Sequence, residues 1–299
     1  MAQDGPGLID NDVAGAAKPE HDVPAALVEG IQAEAYAETG DAAPAALKAA
    51  LGIRVRRIGG GVALAMPHDP TRWWSKTLGV GFEEPVTGSL VERVIDLYRW
   101  QGMPSATLMI APSALPPDWA DICARLGLRE QSRIIKLVGD LRKTGSAAPT
   151  RLADGLRVGT VPPGQVDEAA AVLFAGMEFP AFMSGLVAGL YGRPGWHLFG
   201  VFEGDAVIAA GNLFVHETVA LLFGGATLPA ARGRGAQTAL IAARIAAARE
   251  LGCDWVTADT WPEAPGKHNP SLHNMLRAGM SVHYLRSSWT WGDPAPGVE

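Results

Sequence analysis

Apolar positions along the chain switch between alternation, which marks strands, and helical spacing, and the switches occur in the same order in both halves. In the first half, residues 24–38 and 42–51 read as alanine-rich helices whose sparse stripes, Leu27 with Ile31 and Leu47 with Leu51, suit them to lie across a sheet. Residues 53–66 alternate as a hairpin turning at Gly59, Gly60 and Gly61. A stretch from Trp73 to Phe82 without clear periodicity leads into a helix over residues 89–101, started by Thr87 or by a capping box of Ser89 and Glu92. A strand over 106–110, a helix over 117–126 stopped by Gly127, and a strand over 133–138 follow.

From Thr218 onward the second half repeats the first half's order of strand, helix, strand, helix, glycine and strand. A strand over 156–161 and a helix over 166–175 precede an apolar segment from Met177 to Tyr191. Strands over 196–202 and 206–216 turn at Glu203, Gly204 and Asp205, and with 218–226 they form an antiparallel meander. Leu240, Ala243, Ala247 and Leu251 then mark one helix face, with Ile241, Ile245 and Ala248 beside it, and Gly252 in the place of a C-terminal cap. A strand over 254–260, a short helix capped by Asn269 with Pro270 and ended by Gly279, and closing strands over 281–291 complete the set. The fold class is α+β. Two domains are expected, over residues 24–145 and 150–293, joined by the linker-like TGSAAPT and preceded by a mobile tail over 1–23.

Between the strand ending near Ala226 and the helix opening at Ala236 lies Pro229-Ala-Ala-Arg232-Gly233-Arg234-Gly235-Ala236-Gln237. Its glycines let the main chain approach a ligand, and free N–H groups at a helix start suit a pyrophosphate. It is neither a P-loop, which needs Lys-Ser/Thr after the last glycine, nor a Rossmann turn, which needs a third glycine. Thr227, Pro229, Arg232 and Gly235 do match motif A of the GCN5-related N-acetyltransferases, and the stretch resembles that family, with Gln237 departing from its small last residue. The later Asn269 helix ending in Gly279-Met280 resembles the family's next element. The resemblance implies two tandem copies of a mostly antiparallel sheet flanked by helices, the N-terminal copy lacking the phosphate loop. It implies acetyl-CoA as co-substrate, its pantetheine arm along Ala226, Thr227 and Leu228. Its phosphates would lie on Arg232, Gly233, Arg234, Gly235, Ala236 and Gln237, with Asn269 and Asn274 nearby. The tandem layout is also similar to that of the mycothiol synthases.

Acetyl transfer to an amine needs placement, an oxyanion donor and proton acceptors and donors. Asp259, near the end of a strand facing the coenzyme, and Glu178, between Met177 and Phe179, are the candidate bases ahead of His216 and His273. Met275 stands where the family carries its acid tyrosine, so Tyr284 becomes the candidate acid. Trp74, Phe179, Phe182 and Trp261 are expected to line an apolar pocket for a small-molecule amine. A non-catalytic acyl-CoA-binding sensor or interaction module is the rival, resting on Met275 and Gln237.

Composition narrows the partners. The chain has 299 residues, 48% of them apolar, and a net charge of −6 without a basic stripe interleaved with aromatics, so no nucleic acid is expected. No long apolar run or leader-like start is present, which points to a cytoplasmic protein without a membrane partner. Cys123 and Cys253 read as buried thiols. His268 and His273, five apart without a cysteine or carboxylate at ligand spacing, give no expectation of a metal. A monomer or a homodimer is equally compatible.

Overall fold

A computed structural model describes residues 23–143, 152–264 and 266–293; the expected linker and nearly all of the expected tail lie outside them. The first half contains α1 (Ala25–Ala42), α2 (Ala45–Leu51), β1 (Arg54–Ile58), β2 (Gly61–Ala65), β3 (Lys76–Leu78), α3 (Gly88–Trp100), β4 (Ser105–Met109), α4 (Trp119–Leu126) and β5 (Leu128–Asp140). The second contains β6 (Leu156–Thr160), α5 (Val166–Gly176), α6 (Gly185–Ala188), β7 (Trp196–Glu203), β8 (Ala206–His216) and β9 (Val219–Thr227). It continues through α7 (Ala236–Glu250), β10 (Trp255–Thr260), α8 (Pro270–Arg277) and β11 (Ser281–Gly292).

All eleven strands form one sheet in the order β1-β2-β3-β4-β11-β5-β10-β9-β8-β7-β6. The two long strands at its centre belong to opposite halves and cross over. The C-terminal part of β5 lies between β10 and β11, with Trp255 opposite Asp140 and Thr260 opposite Ile135. The C-terminal part of β11 lies between β4 and β5, with Ser288 opposite Met109 and Gly292 opposite Ser105. Each half thus closes its sheet with the other's last strand, and β5 and β11 pair antiparallel from Ser281–Val138 to Trp291–Leu128. Two elements differ from the sequence expectation here. The closing strands after Gly279 are one strand, because the place of the second is taken by β5. That strand is also longer than the expected 133–138, since β11 supplies a partner along its full length.

The repeated order holds at the level of pairing. β3 runs parallel to β4 across α3, as β9 runs parallel to β10 across α7, and the other strand pairs are antiparallel. β3 was not expected from the sequence, because three residues, Lys-Thr-Leu, buried on both faces carry no alternation. The copies differ most at the start of the crossover helix. The Thr87 side chain caps α3 by accepting from Leu90 N–H, whereas α7 begins at Gly235 with φ 81° and has no side-chain cap. The N-terminal copy closes with its own hydroxyl the donors that α7 leaves open.

Helix α1 packs on strands of both halves, touching β2 and β3 on one side and β9 on the other. Its alanines allow a close approach, while Glu29, Gln32 and Thr39 are buried with Val28 and Ile31. Cys123 and Cys253 are free and buried, as their apolar surroundings suggest.

The crossed strands make each half's stability depend on the other. Leu137 on β5 is fully buried among residues of the C-terminal half, including Val256 and Met280. Leu137→Ala is expected to lower the unfolding free energy by about 2–5 kcal/mol. Hydrogen exchange should accelerate at Val256 and Ala258 as well as in β4; acceleration confined to the N-terminal strands would refute the coupling.

Candidate functional site

The site is built where β9 and β10 part. They pair only at Val219–Trp255, Ala220–Val256 and Leu221–Thr257, after which β9 runs on to Thr227 and β10 to Thr260 with a cleft between them. The divergence coincides with a bulge: the register against β8 shifts between Ala210 and Asn212, and Gly224 takes φ 68°. Carbonyls freed by the bulge are taken by Arg244 of α7, which is buried and donates to Gly224 O at 2.7 Å and Asn212 O at 3.0 Å. Burial without a carboxylate pushes this guanidinium down to about 10. A Cβ on Gly211 or Gly225 would stand 2.9 or 3.0 Å from it, which explains the two glycines.

At the end of the cleft the chain passes through Arg232 to Gly235 into α7. Gly233 and Gly235 have positive φ, and among the described residues the N–H groups from Gly233 to Thr238 have no protein acceptor. Gly233, Gly235, Ala236, Gln237 and Thr238 line a cavity of about 610 Å³. Of the sequence-expected coenzyme residues, Ala226, Thr227, Arg232, Gly233, Gly235, Ala236, Gln237, Asn269 and Asn274 line it. Leu228 does not; its N–H donates to Ile208 O and its side chain packs into the core. The Arg234 side chain turns away to pair with Glu203 at 2.5 Å. Gln237 accepts from Asn274 at 2.6 Å, so its amide ties α7 to α8 and compensates for its size. Asn269 caps α8 through Ser271 and Leu272 N–H and donates to Trp261 O at 2.7 Å, which fixes β10 to α8.

A second cavity of about 580 Å³ adjoins the first, sharing Gly225, Gln237, Asn269, Pro270 and Ser271 as lining. Its walls are aromatic. Trp74 is buried and stacks on Phe174 at 6.2 Å, Phe179 lies 6.0 Å from Trp74, and Trp73 meets Trp261 at 5.6 Å. Trp74, Phe179 and Trp261 therefore come together as expected, joined by Trp73 and Tyr36, whereas Phe182 is 58% exposed and lies outside.

Behind Gln32 and Asp259, which line this cavity, lies a buried charge cluster. Arg286 of β11 and Lys136 of β5 are both fully buried. Arg286 binds Glu29 through Nη1 and Asp259 through Nη2 at 2.7 Å. Lys136 Nζ lies 2.5 Å from Asp259 Oδ1 and donates to Gln32 at 2.8 Å; Gln32 in turn donates to Asp259 at 2.6 Å. Burial raises the Asp259 pKa, but Lys136 and Arg286 outweigh it and hold the carboxyl below its usual range. Asp259 lines the cavity as the counter-ion of two cations, which makes it a weak proton acceptor. Tyr284 donates to Glu29 at 2.6 Å; burial and that carboxylate push its pKa up, and it lines neither cavity. Glu178 is exposed at φ 61° and also lies outside. The three acid–base candidates of the sequence are thus a structural counter-ion, a committed hydroxyl and a surface carboxylate.

At the rim, Glu263 joins the two histidines: its Oε1 lies 3.0 Å from His273 Nε2 and 3.2 Å from His268 Nδ1. The carboxylate is five residues before His268 and was missed because the loop folds back on itself.

The residues that sequence reasoning missed are Glu29, Gln32, Lys76, Lys136, Arg244 and Arg286. One signal was available: Lys136 interrupts the apolar run Ile134-Ile-Lys-Leu-Val138, and Glu29 and Gln32, one helical turn apart, directly follow Val28 and Ile31. A charge inside an apolar period marks a buried pair.

No family model and no curated protein matches this sequence. Solved structures do. A GCN5-related N-acetyltransferase from Kribbella flavida superposes with TM-score 0.58 at 18% identity, covering 90% of this chain and 98% of that one. A tandem GNAT protein from the clavulanic acid biosynthesis pathway gives TM-score 0.60 at 16% identity, covering 90% and 94%. A GCN5-related N-acetyltransferase from Sphaerobacter thermophilus gives 0.58 at 16% identity, again covering 90% and 94%.

Asp259→Asn leaves two buried cations with one carboxylate and should cost about 3–5 kcal/mol of stability. The Asp259 pKa is depressed in the folded state, so its contribution is present above the unfolded value of about 4 and is lost as pH falls through the lower folded value. Urea titrations from pH 7 to pH 3 should show a flatter acid limb for the variant; parallel curves would contradict the assignment.

Proposed function

The chain has the fold of the GCN5-related N-acetyltransferases, and on that premise we propose that it moves the acetyl group of acetyl-CoA to a primary amine of a small molecule. The observation that carries this is the open start of α7 at the mouth of the β9–β10 cleft. An array of free N–H groups and the helix dipole meet a negatively charged pyrophosphate at one end. The unpaired edge of β9 from Leu222 to Thr227 offers main-chain groups to an extended pantetheine arm. A thioester delivered along that edge enters the aromatic cavity, where a main-chain N–H between Gly225 and Thr227 polarises its carbonyl. The amine enters from the side of Trp73 and Trp261, attacks in a ternary complex, and expels the thiolate.

Proton transfer in this scheme does not use Asp259, Tyr284 or Glu178, whose partners or positions are described above. Water in the open cavity takes that part. The buried Met275 in place of a family tyrosine favours the rival, a module that binds acyl-CoA without turnover. The N-terminal copy, read as residues 24–145, contributes Gln32, Tyr36, Trp73, Trp74 and Lys76 to the acceptor side; the coenzyme side belongs to residues 150–293. Among the described residues no helix is long and apolar enough to cross a membrane.

Calorimetric titration with acetyl-CoA should show one site per chain. Gly235→Trp, which obstructs the loop, should weaken binding at least about 100-fold, a loss of about 2.7 kcal/mol. Arg234→Ala, which removes only a side chain turned toward Glu203, should stay within about threefold. Thiol release with a panel of primary amines then separates enzyme from module: binding without release for any amine would favour the module, and no binding by the folded native protein would defeat both.

A further inference from the structure

Two lysines line the aromatic cavity: Lys267 is exposed at its rim, whereas Lys76 is buried within it and has no ionic partner among the described residues. It lies on β3, contributed by the N-terminal copy, with only 7% of its surface exposed. Its Nζ sits 3.4 Å from the centre of the Trp73 ring and 5.8 Å from that of Tyr36, and it makes no hydrogen bond or ion pair among the described residues. The neighbouring cations differ in this respect: Lys136 and Arg286 are both held by Asp259.

Position adds a second argument. The cavity that holds Lys76 is bounded by Phe223, Gly224 and Gly225 of the bulged strand and continues into the coenzyme cavity. An acyl arm lying along β9 from the α7 end would therefore present its thioester to the space that Lys76 faces. From this arrangement we propose that Lys76 is itself an acetyl acceptor, modified once per chain by acetyl-CoA bound in the cleft. The proposal rests on the coenzyme site described above. The neutral Nζ attacks the thioester carbonyl carbon, the N–C bond forms and the C–S bond breaks. The proton lost from nitrogen ends on the departing sulfur, giving an acetamide and the free thiol. The amide passes its acetyl group no further, so the modification is stoichiometric, and the added acetyl group takes up part of the aromatic cavity that Lys76 lines.

The charge environment favours the neutral amine. Burial and then Arg286 of β11 push the Lys76 pKa down to about 7, against weaker opposing pulls from Asp259 of β10 and Asp69 of the preceding loop. Tyr36 of α1 faces it as an uncharged phenol. At pH 7 the neutral fraction is then about a thousandfold that of an ordinary lysine near 10.4. The modification rate should rise up to about pH 7 and level off above it.

The experiment incubates the full chain with acetyl-CoA alone and follows each lysine by peptide mass spectrometry, beside calorimetric binding of acetyl-CoA. The proposal expects one acetyl group, on Lys76, at least about tenfold faster than on Lys48, with equimolar thiol release and protection by excess coenzyme A. A Lys76→Arg variant should bind acetyl-CoA and gain no acetyl group at that residue. Binding without acetylation of Lys76 would overturn the proposal while leaving the coenzyme site intact. Equal labelling by N,S-diacetylcysteamine, unprotected by coenzyme A, would reduce Lys76 to a reactive amine and also overturn it. Absence of acetyl-CoA binding would instead remove the coenzyme site on which the proposal stands.

Discussion

The structure depends on a pair of strands exchanged between its halves and on the ions buried along them. β5 and β11 form the centre of the sheet, and each completes the half to which it does not belong. Lys136 from one and Arg286 from the other converge on Asp259 of β10, while Glu29 and Gln32 of α1 accept further hydrogen bonds from them. Two cations so deeply buried are tolerable only because carboxylates from separate elements meet them together. Four segments distant in sequence must therefore be in register at once, which makes the two halves one cooperative object at their junction.

The cleft follows from that junction. β10 is paired on its β5 side through Thr260, so it cannot follow β9 beyond Leu221, and the bulge at Gly224 with its Arg244 brace bends β9 the other way. What separates is main chain on one side and the charged cluster on the other. The end of the cleft proposed for the coenzyme is made by glycines and uncapped N–H groups of the C-terminal copy. The end proposed for the acceptor is lined by side chains that the N-terminal copy inserts: Trp73, Trp74 and Lys76 from around β3, and Tyr36 and Gln32 from α1. A copy with a threonine-capped helix lacks the open donors of α7, yet it supplies much of the wall against which an acceptor would rest.

Much of this was legible in the sequence where the signal is local. Periodicity locates most helices and strands, the Arg-Gly-Arg-Gly turn identifies the helix start, and Asn269 with Pro270 marks a capped helix that the structure contains. The same locality sets the limit. The exchange of β5 and β11 is a choice of partner, and alternation within a strand does not record which neighbour it will have. β3 is too short to alternate, so Lys76 stood in an unassigned stretch. Asp259 was legible as a carboxylate facing the cleft, but its partners are 123 and 27 positions away on β5 and β11, and they change it from a candidate base into a counter-ion. Tyr284 changes role in the same way through Glu29, 255 positions away on α1.

The central claim is that the gap between β9 and β10 is the coenzyme site, and a crystal structure of the protein grown with coenzyme A tests it most directly. The account predicts the pyrophosphate on the N–H groups between Gly233 and Thr238, and the pantetheine arm along Gly225 to Thr227. The sulfur should then lie in the cavity shared by Lys76 and Asp259. Coenzyme bound elsewhere on the chain, or a cleft holding only water beside saturating coenzyme, would contradict it.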